Sequence, residues 1–240
     1  MSAERLPVAI LAGGLAQRLG PLTQHTPKSL LDVNGEPFVF HQLRRLAEHG
    51  VTRVVLCVGH LSEQIMAVVG TGAGFGLRVD YCCDGPRLLG TAGALRRALP
   101  QLGEAFFVLY GDSYLTCDYG AVQTHYFSQN RPALMTVYRN EGRYDTSNVE
   151  FQDGEIVAYD KRRTTPRMHH IDYGLGVLSA AVLHAVPTEA PSDLAELYAE
   201  LLRRDQLAAF EVTERFYEIG SPAGLALLRA HLAERLLQWN

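Results

Sequence analysis

Four apolar residues, Val8-Ala9-Ile10-Leu11, run straight into Ala12-Gly13-Gly14. A short apolar run closed by a breaker reads as a buried strand, and adjacent glycines let the chain turn sharply and approach a ligand. Free N–H groups in such a turn attract anions, and Arg18 and Lys28 follow close behind. Taken alone, Gly13-Gly14 makes only a strand-to-loop turn, and two cations make only a solvated surface. Together with Pro27-Lys28 they point to a phosphate loop. It is not a Walker A loop, because the chain has no Gly-Lys-Ser/Thr, and Gly13 to Arg18 lacks the spacing of a dinucleotide fingerprint.

The pattern beyond this loop alternates strand and helix. Pro37 to His49 carries a helical apolar stripe closed by Gly50, and Val51 to Val58 is a β-branched strand. Ser62 is expected to cap a helix through Val69, followed by a strand over Leu77–Cys82. Thr91 is expected to cap a helix that Pro100 closes, and Ala105–Tyr110 reads as a central strand. A helix over Asp118–Gln129 and a strand over Ala133–Tyr138 come next. Two alternating arms, Ser147–Gln152 and Glu155–Tyr159, flank Asp153-Gly154, a strong hairpin signal. Asp193–Arg204 is an amphipathic helix. Ser221 and Pro222 open a last one through Leu237, with Leu225, Leu228, Leu232 and Leu236 as its stripe. This alternation predicts an α/β fold: a three-layer α/β/α sandwich on a mixed, mainly parallel Rossmann-like sheet, with a small β-hairpin subregion. Ligands of such sheets sit beyond the C-terminal strand ends, where the Gly-Gly loop lies.

A net charge of −4 over 240 residues gives no reason to expect a nucleic-acid or membrane partner. No apolar run reaches the ~18 residues of a membrane span, and the N-terminus enters a strand without a signal-peptide core. Cys57, Cys82, Cys83 and Cys117 lack C-x-x-C spacing, which argues against zinc and for a reducing, cytoplasmic setting. The paired His169-His170 has no acidic neighbour at ligand spacing and is expected at the surface.

Residues 11–28, with Leu31-Asp32-Val33-Asn34-Gly35-Glu36-Pro37-Phe38, resemble the signature of sugar-phosphate nucleotidyltransferases, whose pattern runs L-A-G-G-x-G-T-R-L, then P-K-P-L-L-P-V. Three further blocks follow in the same order: Leu89-Gly90-Thr91-Ala92-Gly93-Ala94-Leu95, Gly111-Asp112, and Glu218-Ile219-Gly220-Ser221-Pro222. The chain departs from the pattern at Ala16-Gln17 (usually Gly-Thr), Ser29 (usually Pro), Asp172 (usually Asn) and Glu218 (usually Asp).

The resemblance implies transfer of a nucleoside monophosphate from a nucleoside triphosphate to a sugar 1-phosphate, with pyrophosphate leaving. It implies one domain, 1–240, with a nucleotide half to about residue 115 and a sugar half from about 116. Arg18 and Lys28 are the implied catalytic cations. Leu11, Ala12, Gly13, Gly14, Gln17, Asp84, Gly90 and Thr91 are the implied nucleotide contacts. Asn148, Lys161, Asp172 and Gly174 are the implied sugar-phosphate contacts, and Asp112 and Glu218 the Mg²⁺ ligands. Mg²⁺ takes hard carboxylate oxygens with phosphate and water, which suits Asp112. Asp84 could accept from guanine N1–H and N2–H₂, which favours GTP; it could equally sit in a turn with Gly85-Pro86. The chain most resembles the compact bacterial members, heptose 1-phosphate guanylyltransferases among them, and that resemblance implies a manno-configured hexose or heptose 1-phosphate with GTP. Lys161 could equally belong to a solvated basic turn with Arg162 and Arg163. UTP or dTTP with glucose 1-phosphate, UTP with N-acetylmuramic acid 1-phosphate, a non-sugar acceptor, and a non-catalytic NDP-sugar sensor are the alternatives. The expected state is a monomer or small homo-oligomer.

Overall fold

The structure, a computed structural model, describes residues 4–14, 17–188 and 190–238, without the side chains of residues 17, 18, 21 and 236–238. Its strands are β1 (Val8–Leu11), β2 (Asp32–Val33), β3 (Glu36–Pro37), β4 (Arg53–Val58), β5 (Arg78–Cys83), β6 (Ala105–Tyr110) and β7 (Ser113–Tyr114). They continue with β8 (Ala133–Arg139), β9 (Val149–Gln152), β10 (Glu155–Tyr159), β11 (His170–Ser179), β12 (Leu207–Val212) and β13 (Tyr217–Glu218). The helices are α1 (Phe38–Glu48), α2 (Ser62–Val69), α3 (Gly90–Leu102), α4 (Tyr119–Ser128), α5 (Ala180–Leu183), α6 (Leu194–Arg203) and α7 (Pro222–Gln238).

Period-two patterning splits the strands between two cores. Val8 and Ile10 of β1 face one core with Val54, Leu56, Phe107 and Leu109, covered by α1, α2 and α4. Ala9, Val55, Cys57, Phe106 and Val108 face the other, covered by α3, α5 and α6. The expected three-layer α/β arrangement is the one found. The main sheet runs β5-β4-β1-β6-β11-β8-β12, parallel throughout except for β11. The β9–β10 hairpin joins the N-terminal part of β11 through Val149 and His170. Its turn has Asp153 and Gly154 both at positive φ, as the Asp-Gly signal predicts.

Side chains cap three helices where the sequence places them. Asp118 accepts from the N–H groups of Gly120 and Ala121, Asp193 from that of Ala195, and Ser221 from that of Gly224. Ser62 and Thr91 differ. Leu61, at φ +55, precedes α2, and neither α2 nor α3 has a side-chain cap. Pro100 does not end α3, which continues to Leu102 and stops at Gly103. His170 is buried with a ring nitrogen 3.1 Å from Glu211, so half of the paired histidines belongs to the interior.

A third, smaller core fixes the first loop. Leu225, Leu228 and Leu232 of α7 pack on Leu19, Leu31, Val33, Phe38 and Ile219. The two ends of the chain thereby hold the segment carrying Lys28. No helix among the described residues is long and apolar enough to cross a membrane.

Candidate active site

β1, β4 and β6 end side by side, and the loops leaving them enclose a cavity of about 260 Å³. Their ladder extends one residue past the strands: Ala12 N–H donates to Cys57 O and Gly111 N–H to Leu11 O. Gly111 is a glycine because a Cβ there would collide with the Leu11 carbonyl and Ala12 Cα. A Cβ on Gly13 would crowd Gly59 N at 3.2 Å, whereas Gly14 faces open space. Neither Gly13 nor Gly14 has positive φ, so close approach between neighbouring loops, rather than a left-handed turn, is what Gly13 permits. Ala16 lies outside the described residues, as do the side chains of Gln17 and Arg18.

Lys28 and Asp112 meet at the centre of the cavity. Lys28 Nζ lies 2.6 Å from Asp112 Oδ2, with the side chains 17% and 29% exposed. Lys28 starts a 3₁₀ turn held by Leu30 N–H to Pro27 O, and Leu31 then anchors it in the third core. Asp112 is fixed by Gly111 on one side and by Ile219 N–H donating to its carbonyl on the other. These two side chains face the cavity that the Gly-Gly loop borders.

Asp84 stands at one end of the cavity, 6% exposed, with Oδ2 accepting from Leu89 N–H at 3.1 Å. Burial raises its pKa, opposed by the Leu89 hydrogen bond and by Arg97, which donates to the Asp84 carbonyl. The carboxylate therefore both closes the 84–89 loop and faces the cavity. Half-exposed Leu88 lies beside it, against Gly59.

Gly90 and Thr91 line the cavity, yet the close neighbour at the start of α3 is protein. Gly90 has φ +72, and a Cβ there would meet the Ser192 backbone. Ser192 O accepts from the N–H groups of Ala92 and Gly93, two of the amides that a helix start leaves open for an anion. The Thr91 hydroxyl donates to Asp193 at 3.1 Å and accepts from Leu194 N–H at 2.7 Å. These small residues thus knit the two halves together.

Beyond Tyr110, outside the residues that line the cavity, the structure gathers the four residues expected on the sugar side. Asp172, 3% exposed, holds Lys161 Nζ at 3.1 Å and accepts from Tyr110 at 3.1 Å and Tyr159 at 3.4 Å. Asn148 Oδ1 accepts from Asp172 N–H, and Asp172 Oδ1 accepts from Gly174 N–H. Burial would lower the Lys161 pKa, but the Asp172 carboxylate outweighs it and raises it, so the ammonium stays charged. Lys161 belongs to this cluster and not to a free basic turn. Gly174 sits in a break of the β8–β11 register at φ +98, where a Cβ would press on Ser113 Oγ at 2.9 Å. Tyr110 links the cavity to this cluster, because it lines the cavity and its hydroxyl also accepts from Lys161 at 3.0 Å. Sequence reasoning missed it and Tyr159. Tyr110 immediately precedes Gly111-Asp112, and that position was the available signal.

Glu218 departs from its expected place. Its backbone pairs with Ser113 beside Asp112, but its carboxylate turns onto the start of α7. It accepts from Gly220 N–H, from Ser221 N–H at 3.1 Å and from the Ser221 hydroxyl at 2.6 Å. No group of three or more metal-ligating side chains forms among the described residues. Mg²⁺ needs only one or two carboxylates when phosphates and water complete its shell, so Asp112 fits such a role and Glu218, as placed, does not. Glu218→Gln should lower stability by about 1–2 kcal/mol, since it removes a charged acceptor at a helix start. Urea unfolding checks this. Unchanged stability with a raised Mg²⁺ requirement would instead make Glu218 a metal ligand.

Comparison with known proteins places the chain in a family and matches its fold. The chain is 28% identical over 242 residues to mannose-1-phosphate guanyltransferase beta-A of Xenopus laevis, covering 96% of the chain and 66% of that relative. It is 40% identical over 113 residues to N-acetylmuramate alpha-1-phosphate uridylyltransferase of Neisseria meningitidis, covering 47% of the chain and 49% of the relative. The chain thus spans less than two thirds of the length of these curated relatives. A crystal structure of a Bacillus anthracis protein, assigned as a glucose-1-phosphate thymidylyltransferase and solved with sucrose, shares the fold. Its TM-score is 0.82 at 21% identity, over 93% of this chain and 94% of that one. The family profile for the MobA-like NTP transferase domain matches residues 8–239, from the first strand to beyond the last helix. With the Gly13-Gly14 loop, the Lys28–Asp112 pair and nearly the whole chain inside that match, the protein belongs to the MobA-like NTP transferase domain family.

Proposed function

We propose that this chain transfers a nucleoside monophosphate from a nucleoside triphosphate to a sugar 1-phosphate, with GTP and a manno-configured hexose or heptose 1-phosphate as substrates. The observation that carries this reading is the continuity of the site. Tyr110 spans from one end, the cavity lined by Gly13, Asp84, Lys28 and Asp112, to the other, the cluster of Asn148, Lys161 and Asp172. The nucleotide occupies the first end and the sugar phosphate the second. Their phosphates meet near Lys28.

In-line attack by the acceptor phosphate on the α-phosphorus asks the protein mainly for position and charge neutralisation. Lys28 neutralises charge where the two phosphates meet, and Arg18 is assigned to the departing pyrophosphate. Lys161, fixed by Asp172 and Tyr110, presents a cation to the incoming sugar phosphate. Asp172 and Asn148 offer acceptor and donor groups to hydroxyls. Mg²⁺, held by Asp112 with phosphate oxygens and water, supplies further neutralisation of the phosphoryl groups. Guanine at Asp84 accounts for a buried carboxylate facing the cavity, and the mannose-1-phosphate guanyltransferase relative supports the same choice.

The uridylyltransferase relative supports a second reading, UTP with N-acetylmuramic acid 1-phosphate. A pyrophosphate-release screen decides between them by crossing five nucleoside triphosphates with mannose, glucose, heptose and N-acetylmuramic acid 1-phosphates in the presence of Mg²⁺. GTP with a manno-configured acceptor is expected to be fastest. Asp84→Gln should then shift the preference from GTP towards UTP or dTTP by about tenfold, as for the loss of a good base contact. An unchanged preference removes Asp84 from base reading, and a plate without turnover overturns the proposed reaction.

A further inference from the structure

A second hollow, of about 300 Å³, lies outside the cavity described above and is lined by Arg45, Thr116, Arg215, Tyr217, His231 and Arg235. Its residues come from four places in the chain. Arg45 lies on α1 and Thr116 just after β7, while Arg215 and Tyr217 lie before and in β13. His231 and Arg235 stand four residues apart on one face of α7.

Arg215 and Arg235 are held in place by neutral groups, and Arg45 by two backbone carbonyls together with Glu48. Arg45 donates to Thr116 O at 2.8 Å and Leu115 O at 3.4 Å, with Glu48 3.2 Å from its Nη1. The Arg215 guanidinium lies over the Tyr144 ring at 3.8 Å and the Tyr217 ring at 4.7 Å, and Tyr217 stacks on His231 at 4.1 Å. Arg235 donates to the Tyr114 hydroxyl at 3.2 Å. Among the described residues no carboxylate comes within 4.0 Å of Arg215 or Arg235.

Two buried polar atoms here have no hydrogen-bond partner, Arg215 Nε and His231 Nε2. Buried polar groups are rarely left so, and both atoms belong to residues that line the hollow. The pKa of His231 is lowered by burial and then by Arg235, Arg215 and Arg45, with Glu234 opposing, so the hollow carries a positive field. Arg45 has Glu48 as its acid, but Arg215 and Arg235, brought into the same hollow without one within 4.0 Å among the described residues, are costly together unless an anion joins them.

We propose that this hollow binds a phosphate-group oxyanion at a site separate from the reaction cavity. Pre-oriented guanidinium groups suit the planar, multidentate recognition of phosphate oxygens, and aromatic stacking holds Arg215 in place for it. An occupant would touch Tyr217 of β13, which pairs with Tyr114 of β7, and two residues further on Ile219 N–H holds the Asp112 carbonyl. The site stands independently of the proposed reaction.

Calorimetric titration of the full chain with pyrophosphate tests it, comparing wild type, Lys28→Ala, Arg235→Gln and Arg215→Gln. Two classes of binding are expected, one weakened by Lys28→Ala and the other at least tenfold by Arg235→Gln. Arg215→Gln provides the same test should Arg235→Gln fail to fold, and circular dichroism reports the fold of each. Parallel titrations with inorganic phosphate, mannose 1-phosphate and GTP name the source, the tightest ligand of the Arg235-dependent class. Binding unchanged by both arginine substitutions, or no Arg235-dependent class at 10 mM of any probe, overturns the proposal. Turnover by Arg235→Gln at low anion concentration should stay within about twofold of wild type.

Discussion

Lys28→Ala is expected to lower kcat/KM by about 10²-fold or more, the loss typical of removing a preorganised group that stabilises developing phosphoryl charge. The physical case rests on position. Lys28 stands in the cavity between the Gly13–Gly14 loop and Asp112, one-sixth exposed and close enough to Asp112 for an ion pair. That pair is open enough to solvent that its loss should change stability by under about 1 kcal/mol. The two readouts therefore separate: steady-state kinetics should collapse while the urea midpoint hardly moves. Normal turnover in Lys28→Ala would remove this residue from the reaction. A large fall in stability would assign it to the fold.

Asp112→Asn is expected to be at least as damaging, lowering Mg²⁺-dependent turnover by about 10³-fold or beyond detection. The backbone of Asp112 is held by the Ile219 hydrogen bond and the Gly111 contact, neither of which the substitution touches. What changes is charge. Asparagine keeps the shape but loses the anionic oxygen, so it neither pairs with Lys28 nor offers Mg²⁺ a hard ligand. Nucleotide binding gives the second readout. Without Mg²⁺, the triphosphate should bind Asp112→Asn at least as tightly as wild type, because a repelling carboxylate is gone and Lys28 is free. With Mg²⁺, the gain in affinity seen for wild type should shrink. Near-normal kinetics, or an undiminished Mg²⁺ effect on binding, would exclude Asp112 from the metal site.

These expectations separate what neighbouring residues encode from what distant residues impose. The strand–helix order was legible because period-two and period-3.6 patterns act locally, as do the caps Asp118, Asp193 and Ser221 and the Asp153-Gly154 turn. The β12 strand was not read, although its Leu207–Val212 run pairs along the whole of β8. The chemistry-bearing residues Lys28, Asp84, Asp112, Lys161 and Asp172 were all visible as motif members. Their grouping into one central pair and one buried cluster was not.

Gly90, Thr91 and Glu218 show why. Each sits in a block whose residue types suit a ligand, and each is engaged by protein instead: Gly90 and Thr91 by Ser192 to Leu194, Glu218 by the first turn of α7. The sequence by itself determined the α/β class, the Gly-Gly loop after the first strand and the residue types available at the site, because these follow from local periodicity and side-chain chemistry. Only the tertiary structure decided that Tyr110 links the cavity to the Lys161–Asp172 cluster, that Glu218 turns onto Gly220 and Ser221 ahead of the last helix, and that three arginines from separate segments share one hollow. Hydrogen bonds and charges depend on distance in space, and sequence separation carries no record of it.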